Sequence, residues 1–142
     1  MDAISKTQTE IKLFYNGFIG AWFGFLFVGY KINPLHRNVS ALVLVAFCLA
    51  AGLAIVIGFV MRKKLFKQST DALSGNPPKA LYLWRGGTLI GWCCAIDLAI
   101  FGVALKFLGS SSLVLGIFFA VSLGFLLLWR PRPLIVNSAR TA

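Results

Sequence analysis

The sequence has few residues of the kinds from which catalytic centres, metal sites and disulfide scaffolds are built. Its 142 residues include only four Asp and Glu, three Cys and one His. The four acids are scattered along the chain at Asp2, Glu10, Asp71 and Asp97, so no metal-ligand cluster or catalytic carboxylate pair is expected. Charged residues make up 13% of the chain, about half the roughly 25% found in soluble domains. These shortages argue against a soluble enzyme and a disulfide-stabilised domain, and we expect no metal, no cofactor and no catalytic residue.

Apolar residues, in contrast, are abundant and form long runs. At 58% of 142 residues, they number about 82, close to the roughly 80 that four membrane-spanning helices would use. The runs are continuous and do not alternate with polar residues, which favours helices over strands. They cover residues 13–30, 39–61, 86–107 and 113–129. The sequence therefore predicts an all-α polytopic membrane protein: one domain over residues 1–142, forming a bundle of four transmembrane helices arranged as two helical hairpins.

The positive charge is distributed unevenly between the two ends of these runs. Of fourteen Lys and Arg residues, only Lys31, Arg37 and Lys106 lie on one side, and the others occupy the N-terminal tail, the segment 62–85 and the C-terminal tail 130–142. By the positive-inside rule both termini and the basic segment are cytoplasmic, as in a bacterial inner or intracytoplasmic membrane protein. The cations expected to contact anionic lipid headgroups are Arg62, Lys63, Lys64, Lys67, Arg85, Arg130 and Arg132.

The segment 62–85 is predicted to be a basic cytoplasmic loop. Its first half, residues 62–74, can continue the second helix, with Gly75 as a C-cap and Asn76-Pro77-Pro78 as a stop. The loop either only connects the two hairpins or also docks a partner or regulator. It has no separate basic domain with interleaved aromatic residues, so nucleic acid is not an expected partner. The only histidine, His36, is interpreted as a solvated residue of the opposite loop.

Small residues recur at four-residue spacing in every predicted span. Such rows let helix backbones approach closely in lipid, where apolar side chains alone supply little driving force for association. We expect the rows to pack the bundle, and one of them could instead be a dimerisation face. The predicted packing positions are Gly20, Gly24, Ala50, Ala54, Gly58, Gly87, Gly91, Gly116, Ala120 and Gly124.

Asp97 is the residue that composition does not explain, because it lies at the middle of the third predicted span. An aspartate there costs about 2.5 to 3.5 kcal/mol on insertion scales. Within the same helix Lys106 is about 13 Å away along the axis and Arg85 about 18 Å, so neither can pair with it. Ser122 and Trp22 are the polar side chains at comparable depth on other helices. We expect the carboxyl to be protonated, hydrogen-bonded inside the bundle, or paired with a basic group from another chain.

Residues 90–102, Ile-Gly-Trp-Cys-Cys-Ala-Ile-Asp-Leu-Ala-Ile-Phe-Gly, resemble the carboxylate helix of rotary ATPase ring subunits, in which one acid lies among small and aliphatic residues. The resemblance covers thirteen residues and implies a proton or cation site at Asp97. In that family the carboxylate belongs to the second helix of a hairpin, whereas here it belongs to the first helix of the second predicted hairpin.

Two functional hypotheses follow. The first is a non-catalytic accessory or structural subunit of a larger membrane protein complex, with the lipid bilayer and other membrane subunits, or a second copy, as partners. The second is an oligomeric proton or cation conductor that uses Asp97. No proline interrupts a predicted span, which argues against the broken helices typical of transporters.

Overall fold

The computed structural model describes residues 3–35 and 39–131 of the protein. These residues form four helices: α1 (Ala3–Lys31), α2 (Ala41–Ala72), α3 (Pro77–Phe107) and α4 (Ser112–Leu128). Helices α1, α2 and α3 are long and apolar enough to cross a membrane, whereas α4 is equally apolar in character but has only 17 residues. For the described residues, the prediction of an all-helical protein with helices long and apolar enough to span a membrane is thus confirmed. His36, Arg37 and Arg132 lie outside the described residues.

Local sequence signals set where the helices begin and end. Ser40 and Ser111 cap α2 and α4, and each side-chain oxygen accepts a hydrogen bond from the backbone amide three residues further on. The Asn76 side chain caps α3 in the same way. Gly109 adopts a positive φ of 106° in the turn between α3 and α4, a conformation that glycine reaches without steric cost. These short polar breaks separate the apolar runs.

The segment expected to be a basic loop is helical over most of its length. Helix α2 continues to Ala72, as its predicted extension implied, but α3 already begins at Pro77 and not near residue 86. Pro77 and Pro78 occupy the first positions of α3, where a missing amide donor costs nothing because those amides have no partner within the helix. Only residues 73–76 connect the two helices, and the Ser69 hydroxyl donates a 2.8 Å hydrogen bond to the Ala80 carbonyl across them.

Helix α3 is the central element, and the other three helices all pack against it. Helices α3 and α4 are joined by residues 108–111 and pack against each other. Within the described residues, however, α1 and α2 do not contact each other, so the first predicted hairpin is not a packed pair. The order of the apolar runs predicted that α1 packs against α2, its neighbour along the chain. In the structure both α1 and α2 pack against α3.

Glycines mark the closest approaches to α3. A Cβ at Gly58 would lie 2.9 Å from the Cys94 Cβ, and one at Gly102 would lie 2.9 Å from the Phe118 Cβ. At Gly87 it would lie 3.2 Å from the Phe66 ring. Real Cβ atoms cannot occupy such positions without displacing a neighbour, so these glycines determine how closely α2 and α4 pack on α3.

The predicted packing positions divide into two groups. Gly58, Gly87 and Gly91 are buried at helix contacts, and Ala54 is half-buried. The remaining six have no close neighbour at the Cβ position or are exposed: Gly20, Gly24, Ala50, Gly116, Ala120 and Gly124. These positions, on α1, on α4 and at Ala50 of α2, do not pack the bundle, and a role for them against another chain stays a prediction.

Glycines at a close helix contact and glycines without a close neighbour predict different effects of the same Gly→Ala substitution. We expect Gly102→Ala to lower the free energy of unfolding by about 1 to 3 kcal/mol, because the new methyl group overlaps Phe118. Gly124→Ala, with no atom within 4 Å of its Cβ position, should leave stability unchanged or raise it by about 0.5 to 1 kcal/mol through helix propensity. Unfolding in mixed micelles titrated with dodecyl sulfate, followed by circular dichroism, measures both. Equal losses for the two variants would contradict the arrangement of α4 on α3.

Candidate functional site

One face of α3 lies open between α1 and α2. Trp92 packs against α1, with its ring centroid 5.2 Å from that of Tyr15. Cys94, two residues further on, contacts Gly58 of α2. Cys93 lies between these two positions on the helix and is exposed. Because α1 and α2 do not touch, the face that begins at Cys93 is covered by neither helix.

Asp97 lies on this open face. It is four residues after Cys93 and three before Ile100, a spacing that places all three on one side of the helix. All three are exposed, and we refer to them together as the Asp97 face. Among the described residues no hydrogen bond or ion pair reaches the Asp97 carboxylate. Of the three expectations for this residue, a hydrogen bond inside the bundle is therefore wrong, because the side chain points out of it.

Ser122 and Trp22 are not brought to Asp97. The Ser122 hydroxyl is fully buried and donates a 2.6 Å hydrogen bond to the carbonyl of Ala95. Ala95 is two residues from Asp97, about 160° around the helix. Trp22 is buried against Phe119, with 5.4 Å between ring centroids. Both residues thus belong to the core of the bundle, and neither of them bonds to Asp97.

A second cluster of functional groups surrounds the end of α4. The Trp92 indole donates a 2.9 Å hydrogen bond to the carbonyl of Trp129, and the Tyr15 hydroxyl donates a 3.3 Å bond to the carbonyl of Leu126. Carbonyls in the last turn of a helix have no partner within it, so α1 and α3 here supply the missing donors. Sequence reasoning did not identify Trp92 as a contact residue, although its side chain is fully buried.

Arg62 of α2 completes this cluster. Its guanidinium carbon lies 4.9 Å from the centroid of Phe66 and 5.5 Å from that of Trp129, both within cation–π range. The aliphatic stem passes over Gly91, where a Cβ would lie 3.3 Å from the arginine Cδ and 3.1 Å from the Trp129 ring. We call Tyr15, Arg62, Phe66, Trp92 and Trp129 the Trp129 cluster. Its residues come from α1, α2 and α3 and from the C-terminal end of α4.

The other cations predicted to reach headgroups lie near the same end of the bundle. Lys63, Lys64, Lys67 and Arg130 are exposed. Arg85 forms a 3.2 Å ion pair with Glu10, which joins α3 to the beginning of α1, and its guanidinium lies 5.5 Å from the Phe14 ring. The cations of α2, α3 and the end of α4 are thus gathered at one level of the molecule.

The described part of the chain contains no group of three or more His, Cys, Asp or Glu residues arranged to hold a metal ion. Asp97 lies about two thirds of the way along α3, whereas Glu10 and Asp71, the other described acids, lie near the beginning of α1 and the end of α2. The Asp97 face can therefore form hydrogen bonds or an ion pair, whereas the Trp129 cluster combines cations with aromatic surface.

The hydrogen bond between Trp92 and Trp129 should be measurable against a matched control. Trp92→Phe removes the donor to a buried carbonyl, whereas Trp22→Phe removes similar volume from an indole whose nitrogen has no partner among the described residues. We expect Trp92→Phe to lower the free energy of unfolding in micelles by about 1 kcal/mol more than Trp22→Phe does. A smaller loss for Trp92→Phe than for Trp22→Phe would contradict the role assigned to this bond.

Comparisons with known proteins give no relative from which a role could be transferred: no family model, no curated protein and no solved structure matches this chain.

Proposed function

We propose that the protein is a non-catalytic accessory or structural subunit of a larger membrane complex, and that the Asp97 face binds a membrane helix of a partner subunit. The observation that carries the proposal is the exposure of Asp97, which lies about two thirds of the way along α3, at the middle of the apolar run 86–107. A carboxyl within a membrane needs a polar partner, and the proposal follows from that requirement.

The energetic argument concerns an acid that its own chain does not satisfy. A carboxyl facing lipid at mid-depth costs about 2.5 to 3.5 kcal/mol. The buried hydroxyls of Ser69, Thr88 and Ser122 donate to backbone carbonyls of this chain, and that of Ser110, in the turn after α3, has no partner among the described residues. No hydrogen bond reaches Asp97 from the described residues either, and Asp97 carries the larger cost because it can be charged. A Lys, Arg or hydroxyl donor from a second protein would offset the cost, so the exposure of Asp97 favours a binding role.

The surroundings of Asp97 are suited to a helix of another chain. The neighbours on its face, Cys93 and Ile100, are apolar in a membrane setting, and the face lies in the gap between α1 and α2. A partner helix in this gap would bind the Asp97 carboxyl through one polar side chain and would contact Cys93, Ile100 and the adjacent surfaces of α1 and α2 through apolar side chains. The exposed apolar side chains of α2, among them Leu42, Leu49 and Leu53, suit either lipid or further subunits.

The proposed orientation has both termini in the cytoplasm. Glu10 pairs with Arg85, and Arg62 lies on Trp129, so the beginning of α1, the extensions of α2 and α3 and the end of α4 share one level. Most of the lysines and arginines of the described residues lie at this level, which by the positive-inside rule faces the cytoplasm. This arrangement supports four spans and a bacterial inner or intracytoplasmic membrane as the location.

The second candidate function is an oligomeric proton or cation conductor. Its supporting observation is also the exposure of Asp97, because a neighbouring copy could reach the carboxyl directly. The pathway would have to come largely from other copies, since Cys93 and Ile100 supply no further ionisable oxygen on this face. Accessory binding is preferred because it requires only one polar contact.

Replacement of Asp97 separates binding from folding. We expect Asp97→Leu to reduce the partner protein recovered with a tagged chain in mild detergent at least tenfold, while the free energy of unfolding of the isolated chain is unchanged or higher. The reason is that the carboxyl is exposed and replaced by an apolar group. Asp71→Asn, on the exposed end of α2, is the control and should retain the partner. Quantitative mass spectrometry of the purified material measures recovery.

The same residue distinguishes the two candidate functions. If the accessory role is right, vesicles containing the purified wild-type chain conduct protons and cations no faster than empty vesicles, and Asp97→Asn changes nothing. A flux that requires the wild-type chain and disappears in Asp97→Asn would overturn the accessory role in favour of conduction.

A further inference from the structure

A cavity of about 460 Å³ lies beside the Trp129 cluster. Its walls come from the end of the apolar part of α2, the beginning of α3 and the end of α4, and none of the described residues that line it is acidic. Two cations, Arg62 and Lys63, line it together with aromatic and aliphatic side chains, including Phe59, Trp84 and Leu128. We propose that this cavity binds an anionic phospholipid, with the phosphate on Arg62 and Lys63 and the glycerol and upper acyl chain against the aromatic wall.

The charged groups of the cavity select an anion. The hydroxyls that also line it, Ser69 and Thr70, donate to the carbonyls of Ala80 and Phe66, so their protons are already used within the chain. Arg62 and Lys63 carry the positive charge of the cavity, so we assign the phosphate oxygens to them. Among the described lining residues, no carboxylate opposes them.

Arg62 is held in place before any ligand binds. Its guanidinium lies over the Phe66 and Trp129 rings, and its stem is pressed against Gly91. A side chain already restricted in this way loses less conformational entropy when it binds a phosphate than a solvated lysine does. Arg62 therefore differs from the exposed lysines nearby, such as Lys64 and Lys67, which attract headgroups only from the surface.

The depth and polarity of the cavity favour a lipid over free phosphate. The long apolar run of α2 ends at Met61, immediately before Arg62, Lys63 and Lys64. Tryptophans are typical of the interface between the acyl chains and the headgroups, and Trp84 and Trp129 line the cavity at this level. A phosphate alone would leave the aromatic wall uncovered, whereas a phospholipid uses the cations and the apolar wall together.

The test is a titration of dioleoyl phosphatidylglycerol into the full chain held in phosphatidylcholine nanodiscs, with bound lipid counted by native mass spectrometry. We expect the wild-type chain to retain one phosphatidylglycerol. The double variant Arg62→Gln/Lys63→Gln should weaken retention at least tenfold. The matched control Lys64→Gln/Lys67→Gln removes the same charge from the same helix outside the cavity and should weaken retention less than the Arg62→Gln/Lys63→Gln variant does.

Lys63→Gln alone keeps the test decisive if loss of Arg62 disturbs the Trp129 cluster, because Lys63 is exposed and takes no part in that cluster. Retention should fall about fivefold in this variant, with an unchanged circular dichroism spectrum. Equal losses in the two double variants, or no loss in Lys63→Gln, would overturn the proposal in favour of diffuse surface attraction. Complete displacement of phosphatidylglycerol by millimolar inorganic phosphate would overturn the assignment to a lipid in favour of free phosphate.

Discussion

The hydrogen bond from the Trp92 indole to the Trp129 carbonyl fixes the point at which the helices of this protein meet. Apolar side chains are as well solvated by lipid as by one another, so close backbone contact and polar bonds decide how membrane helices associate. Trp92 and Tyr15 donate to the carbonyls that the end of α4 leaves without partners, and Gly91 leaves room for Trp129 and Arg62 to lie on α3. The central position of α3 follows from this arrangement, and so does the gap between α1 and α2.

That gap explains why Asp97 differs from the buried hydroxyls of the described helices. Ser69, Thr88 and Ser122 are buried and bonded to backbone carbonyls. Asp97 lies on the side of α3 that neither α1 nor α2 covers. An acid with no described partner at this depth is best accounted for by a second protein, and the accessory role rests on that inference. The lipid proposed for the cavity beside Trp129 would bind at the cation-rich end of the bundle, away from Asp97. That proposal does not depend on the accessory role.

The sequence predicted the helical class and the presence of helices long and apolar enough to span a membrane, because length and hydropathy act along the chain. It did not predict which faces are buried. In water a helix reveals its buried face by an apolar stripe, but in lipid both the packed and the lipid-facing sides are apolar and the periodic signal is lost. Gly102 and Gly124 illustrate this: both are glycines of apolar helices, yet only Gly102 meets a neighbour. The predicted beginning of α3 was wrong for a different reason, because a proline can occupy the first position of a helix as readily as it can end one.

The most direct test of the central claim is site-specific photocross-linking from the Asp97 face in native membranes. A benzophenone side chain at Ile100, which is 40% exposed and shares this face, should give a protein adduct of one defined mass. The adduct should disappear when Asp97 is replaced by Leu and persist when Asp71 is replaced by Asn. Adducts with lipid alone, or a protein adduct that is unchanged by Asp97→Leu, would contradict the account.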